Sequence, residues 1–387
     1  PAFAETLSNQ LNLSTDVLRF EAIGPYINVF LDENQMNKDV LAQACIAPSI
    51  PKKDSPLVMV EFVSPNTNKP LHLGHVRNMA LGESISRLLE HEGMRVLRVQ
   101  IINDRGAHIC KSMLAYQKFG RNETPQTEKM KGDHFVGKYY HLFNEKYESD
   151  SKLEEEAQFL LQRWEQNDPA VRELWEKMNA WWYEGVQQSF AYFGIAFDKN
   201  YYESLLFDKG KDIAHHAYSQ GKFVKLDNGA IAAPLKSFNL PDKVVLRSDG
   251  TTMYITQDIY LAQKRFEEYP NLSKIIYIVG SEQELHFQQT FAILQLIGMP
   301  QAKQCYHLSY GLVTRPSGGK VSSRSGEVII ADDIMRGTYE LALEELNKRN
   351  PDLADKIKEH RAKVIGLSAV KFFMLKQDAH KTIEFDP

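Results

Sequence analysis

Cysteine is scarce. The three cysteines in 387 residues, Cys45, Cys110 and Cys305, lie far apart and form no C-x-x-C pair, which speaks against a disulfide framework and a structural zinc site. They read as reduced, buried thiols. No apolar run approaches the length of a membrane span and no signal peptide opens the chain, so no membrane partner is expected and a cytoplasmic setting is. Neither sign of charge dominates: a formal net charge of -4 argues against a surface given over to nucleic acid, while leaving room for a local basic patch. No Ser/His/Asp string sits on a strand-to-helix elbow, which disfavours the nucleophilic hydrolases. What is present is an ordinary globular composition, 43% hydrophobic and 25% charged, long enough for one large core and two or three domains.

The chain is organised around residues 57–93. An apolar run of strand character, 57–63, feeds the turn Ser64-Pro65-Asn66-Thr67-Asn68-Lys69-Pro70, and over 75–91 Met79, Ile85, Leu88 and Leu89 recur at helical spacing. His72 and His75 therefore sit where a strand ends and a helix begins. The first backbone N–H groups of a helix lack partners there and would face an anion at the positive end of the dipole. Gly74 would let a phosphate approach closely, and each imidazole can donate a ring N–H while leaving the pocket nearly neutral. Two surface histidines would be the plainer reading of a bare H-x-G-H string. Its arrival directly after a strand, with Pro65, Asn66 and Lys69 in the turn, favours a phosphate site.

Residues 94–102 read as a second strand closed by Asn103-Asp104-Arg105-Gly106, and strand–helix–strand with a phosphate site in its first turn is half of a doubly wound nucleotide-binding fold. Residues 1–50 read as a small α+β unit, with Leu7, Leu11, Leu13, Val17 and Phe20 in a mixed helical pattern and 26–31 alternating like a strand. Residues 107–243 then interrupt the fold with acidic, tryptophan-bearing helices and a hairpin turn at Asp227-Asn228-Gly229. The sheet resumes with strands at 274–279 and 305–309 around a helix at 284–298, and amphipathic helices follow at 331–349 and 358–377.

The residues Glu61-Phe62-Val63-Ser64-Pro65-Asn66 followed by Lys69-Pro70-Leu71-His72-Leu73-Gly74-His75 resemble the adenylate-binding motif of class I aminoacyl-tRNA synthetases, in the form found in arginyl-tRNA synthetases. Gly318-Gly319-Lys320-Val321-Ser322-Ser323-Arg324 resembles that class's lysine-serine loop, Gly280-Ser281-Glu282 with His286 its adenosine-binding stretch, and 249–258 its arginine-binding stretch. The resemblance implies an α/β, doubly wound parallel-sheet (Rossmann-type) catalytic domain split by a helical and hairpin insertion. Its implied parts are a partial N-terminal appended domain (1–50), catalytic halves (51–106 and 244–350), a connective insertion (107–243) and the start of a helical anticodon-binding domain (351–387), with parts of both termini lacking.

It further implies ATP-dependent activation of L-arginine as the adenylate and transfer to tRNA(Arg), by a monomer using substrate-associated Mg2+ and no metal of its own. Joining an ionised carboxylate to the α-phosphate needs alignment and charge neutralisation rather than a general base. Carried over residue by residue, Lys69, His72, His75 and Lys320 are catalytic. His72, Gly74, His75, Gly280, Glu282, His286, Lys320, Ser322 and Ser323 bind ATP, and Glu61, Asn66, Tyr254, Asp258 and Gln283 bind arginine. Glu282 stands in place of the usual aspartate. Ser323 stands where a second lysine is usual, and Lys69 is expected to substitute for it. Glu61, on an apolar strand, should meet a cation, since an unpaired buried carboxylate is costly. Two other readings are open: a small nucleotidyltransferase, which would lack the long insertion and the Tyr254/Asp258 pair, and a catalytically weak synthetase-like protein that binds RNA or a partner.

Overall fold

The computed structural model describes residues 1–11, 16–44, 51–314 and 329–386, so Cys45, Lys320, Ser322 and Ser323 lie outside the described residues. Residues 1–51, with 91–93, form one compact unit and the rest forms another. In the first, α1 (Ala2–Gln10) precedes the antiparallel hairpin β1 (Val17–Ile23) and β2 (Tyr26–Leu31), and α2 (Glu33–Ala44) follows. Val17 and Phe20, expected in a helical pattern, lie on β1. Gly24, at φ 60°, turns the chain so tightly that Ile23 faces Tyr26, and the backbone is used up in strand pairing.

The second unit holds β3 (Leu57–Glu61), α3 (Leu73–His91), β4 (Arg95–Ile102), α4 (Ala107–Phe119), α5 (Gly132–Tyr147), α6 (Lys152–Glu165), α7 (Pro169–Phe193) and β5 (Lys199–Tyr202). After these come α8 (Lys211–Ser219), β6 (Val224–Lys225), β7 (Ile231–Ala233), β8 (Lys243–Leu246), α9 (Tyr254–Glu268), β9 (Leu272–Gly280), α10 (Glu284–Leu296) and β10 (Cys305–Tyr310). The chain closes with β11 (Val313–Thr314), α11 (Ala331–Arg349), α12 (Asp355–Leu375) and β12 (Ile383–Glu384). Five strands pair in parallel in the order β10-β9-β3-β4-β5, with every residue of β3 buried, as its unbroken apolar run requires. The strand order reverses between β3 and β9, and in open α/β sheets a ligand crevice opens beyond the strand ends at such a point.

The stretch 107–243 is not wholly an insertion. Lys199–Tyr202 joins the main sheet as its edge strand, a role that four polar and aromatic residues without apolar alternation do not announce. The helices before it share the core of β3 and α3: Trp164 and Trp182, 1% and 0% exposed, belong with Phe135 and Tyr139 to the cluster that holds Phe62, Val76 and Met79. The hairpin forms as expected, β6 pairing with β7 across Gly229 at φ 88°.

After α12 the chain turns back, and β12 pairs in parallel with β11. Arg77, on α3 and fully buried, is the reason. Its guanidinium donates to the carbonyls of Gly311 (2.6 Å), Leu312 (3.1 Å), Ala379 (2.9 Å) and Lys381 (2.7 Å), tying the signature helix to both segments. Arg77→Met would leave these acceptors without that donor, and each such buried group costs about 1–3 kcal/mol. The substitution should therefore lower the unfolding free energy by roughly 3 kcal/mol or more, whereas Arg87→Met on the exposed face of α3 should stay within about 0.5 kcal/mol; denaturant titration of the two variants reads the difference.

Candidate active site

The site begins with a strained turn. Val63 and Ser64 leave β3 at φ 73° and 44°, a conformation costly for a β-branched residue. Asn78, buried on α3, holds it: its Oδ1 accepts from Val63 N–H at 2.6 Å, and its Nδ2 donates to Ile278 O at 2.8 Å and to Tyr310 Oη at 3.0 Å. The turn then lies along the end of β4, with Asn66 bridging Asn103 and the Ser64 Oγ accepting from Ile101 N–H at 3.1 Å. Two insertion helices brace the Lys69–Pro70 end of the turn. Trp182 Nε1 donates to Lys69 O at 2.8 Å, and Pro70 packs so close to Gly137 that a Cβ there would stand 2.7 Å from its Cδ.

At the start of α3 the expectation of unpaired amides is corrected. Leu73 N–H bonds Ile329 O (2.9 Å), Gly74 N–H bonds His72 Nδ1 (3.2 Å), and the N–H groups of His75 and Val76 both bond His72 O (2.8 and 3.2 Å). His72 N–H donates in turn to His75 Nδ1 at 3.0 Å. The donors are instead imidazoles. An Nδ1 that accepts from an amide carries no proton, so each neutral ring holds its proton on Nε2 and offers an N–H there. Burial, then the charge of Lys69, lowers the pKa of His72 to about 4. Burial, His72 and Lys69 hold His75 well below its ordinary value. The rings pack against each other at a tilt of 37°, with centroids 3.9 Å apart.

His108, at the head of α4, was missed in the sequence. It is neutral for the same reasons, burial first and then Lys69, its pKa lowered to about 4, and its buried Nε2 has no hydrogen-bond partner. Three neutral imidazoles thus feel the one ammonium of Lys69. The available signal was Gly106, which places His108 after a strand end and at a helix start, as His72 is placed.

The opposite side is acidic. Glu61 is met by a cation of its own chain: Arg265 on α9 lies 2.5 Å away, with the two side chains 6% and 0% exposed. Asp258, also on α9, pairs with His286 on α10 at 2.6 Å, so an expected arginine ligand and an expected ATP ligand contact each other. Glu203, just past β5, was also missed, because a strand end was not expected there. Burial raises its pKa to about 7; Arg105 opposes this, and Asp104 and Asp258 add to it. Asp104 accepts from Ser204 N–H and Oγ at 2.8 and 2.7 Å. Gly280 is buried at the end of β9, while Tyr254 is 69% exposed and Glu282 and Gln283 are exposed nearby.

A parallel α/β sheet with neutral histidines at its switch point and a carboxylate cluster at the ends of β4 and β5 has the layout of a doubly wound nucleotide-binding domain. The family described as "tRNA synthetases class I (R), catalytic domain" matches residues 38–386, and the chain belongs to that family. It is 42% identical over 363 residues to an arginine–tRNA ligase of Phocaeicola vulgatus, covering 87% of this chain and 59% of that one. It is 44% identical over 376 residues to one of Treponema denticola, covering 95% and 63%. The chain thus spans about three fifths of the length of the curated relatives it matches. The solved arginyl-tRNA synthetase of Thermus thermophilus shares the fold, with a TM-score of 0.74 at 24% identity over 99% of this chain and 68% of that one.

The neutral histidines carry a pH signature. His72 titrates near 6.5 when unfolded and near 4 when folded, so its contribution to stability is complete above about 6.5 and lost as pH falls toward 4. Unfolding free energy measured from pH 7 to 4 should fall, and should fall less steeply, by up to one proton, in His72→Asn, whose Oδ1 can still accept from Gly74.

Proposed function

We propose that this chain activates L-arginine with ATP as arginyl-adenylate, for transfer to tRNA(Arg). The observation that carries the reading is the division of the site: proton-donating neutral imidazoles and Lys69 beyond β3, and Glu203 with Asp258 at the neighbouring strand end and helix start. In this reaction an arginine carboxylate oxygen forms a bond to the α-phosphorus as the bond to pyrophosphate breaks. His72 and His75 Nε2–H groups and the Lys69 ammonium meet the charge that builds on the phosphate oxygens, as preorganised donors in a water-poor site do best. Mg2+, arriving with ATP, neutralises the phosphates when bound. A guanidinium is a planar five-donor fork suited to carboxylates. Glu203 and Asp258 receive it, with Asp258 exchanging its contact with His286, and the exposed ring of Tyr254 closes the approach. Glu61 acts from behind, through Arg265. By resemblance Asn66 and Gln283 complete the arginine side, Gly280 and Glu282 hold the adenosine, and Lys320, Ser322 and Ser323 complete the phosphate side.

The test is arginine-dependent ATP–pyrophosphate exchange, with and without tRNA(Arg). Exchange supported by arginine and roughly 10⁴-fold weaker with lysine, which leaves carboxylates unpaired, is the expected outcome; equal exchange with lysine sinks the reading. Lys69→Ala should lower the rate about 10²- to 10³-fold with little change in the arginine KM, as expected for loss of one charge-stabilising donor.

Glu203 adds a pH dependence. With its pKa raised to about 7 before arginine binds, it loses its charge as pH falls through that value, and with it the attraction for a guanidinium. The arginine KM should therefore rise between pH 8 and 6, while Glu203→Gln should have a high KM that is flat over the same range.

A further inference from the structure

One group of metal-ligating side chains stands out among the described residues: Asp133, His134 and Asp332. Its cation is already supplied by the chain. The Lys131 ammonium lies 2.6 Å from Asp332, 3.3 Å from Asp133 and 2.5 Å from Ser189 Oγ. Asp332 is the hub: its Oδ2 also accepts from His134 Nε2 at 2.7 Å, and its Oδ1 accepts from Ser189 Oγ at 2.7 Å. Lys131 caps α5, His134 lies in its first turn and Ser189 lies on α7, so this one carboxylate on α11 is held by both helices that brace Lys69 and Pro70.

What Asp332 holds in place runs directly to the chemistry. Two residues before it, Ile330 forms an antiparallel bridge with His72, flanked by the bonds from Leu73 N–H to Ile329 O and from Ala331 N–H to Leu71 O, both 2.9 Å. The backbone of His72 is therefore gripped between α3 and a segment whose next residue is anchored to α5 and α7. We infer that Asp332 is a positioning residue for the phosphate step: its clamp on Lys131, His134 and Ser189 fixes the 329–331 segment, and that segment fixes the His72 imidazole against Gly74 and His75. This rests on the adenylation reading above. A displacement of about 1 Å at a reacting group can cost on the order of 10²-fold in rate without weakening substrate binding.

Asp332→Asn keeps the shape and removes the charge. In a folded variant the exchange rate should drop about 10- to 100-fold while the arginine KM stays within about twofold, and Asp333→Asn, a neighbour paired with Arg336, should leave both unchanged. Ser189→Ala removes two of the clamp's bonds, those with Lys131 Nζ and Asp332 Oδ1, but none of its charges, and should lower the rate about threefold, which keeps the test available should Asp332→Asn fail to fold. An unchanged rate in the folded variants overturns the inference, and so does a fall that merely tracks the folded fraction. Histidine 15N spectra separate this result from the adenylation reading. If the wild type shows no arginine-dependent exchange, the adenylation reading fails, while a shift of the His72 Nδ1 resonance in Asp332→Asn still reports the clamp; an unmoved resonance overturns it.

Discussion

The site depends on one amide. Asn78 joins three strands that meet at the switch point, reaching the turn after β3, the carbonyl of Ile278 on β9 and the hydroxyl of Tyr310 on β10. With both ends of the amide engaged, the Val63–Ser64 turn can be held in a left-handed conformation that costs about 1–3 kcal/mol per residue. That turn decides where the chain goes next. A relaxed one would continue along the strand direction instead of folding back against Asn103, and Lys69, His72 and His75 would leave the strand end. The strain is thus stored where the proposed phosphate chemistry takes place and is held by a buried side chain that takes no part in it.

Electrostatics divides the remaining work. On the phosphate side the ordinary solution, a cluster of cations, would repel itself when buried. Burial instead strips the histidines of charge and leaves Lys69 as the ammonium that each of them feels. On the other side the carboxylates are not all alike. Glu61 is already neutralised by Arg265, and Asp104 is bonded twice to Ser204. On the proposed reading Glu203 and Asp258 are the carboxylates that receive a guanidinium, Asp258 leaving His286 to do so. The proposed specificity for a cation is thus compatible with a deep acidic cluster, because half of that cluster is already paired within the chain.

The sequence made the central turn and helix α3 legible, because a strand, a Pro/Asn turn and a 3.6-residue period have few other readings. Strands β9 and β10 and helix α11 were legible for the same reason, and the demand that Glu61 find a cation followed from the cost of a buried carboxylate. The rest was hidden for physical reasons. β5 is short, polar and paired on one side, so it leaves no alternation, and with it went Glu203, whose importance comes from a strand end that could not be seen. β1 shares its apolar residues between two faces, which mimics a loose helical stripe. The contact of Asp258 with His286 joins residues of separate helices and has no sequence signature. The lysine-serine loop resemblance falls on residues outside the described structure.

The long interruption of the sheet is best understood through its tryptophans. Trp164 and Trp182 are too large and too completely buried to belong to an appendage, and Trp182 spends its one donor on the carbonyl of Lys69. Gly137 gives up a side chain so that Pro70 can approach. A segment that merely lengthened a connection would keep its polar contacts to itself, whereas these are made with the residues on which the proposed reaction turns. The helices that split the fold in sequence therefore hold it together in space. Removing 107–198 would expose the core of α3 and β3 and release the Lys69–Pro70 turn at the same time, so the insertion cannot be separated from the turn that it braces.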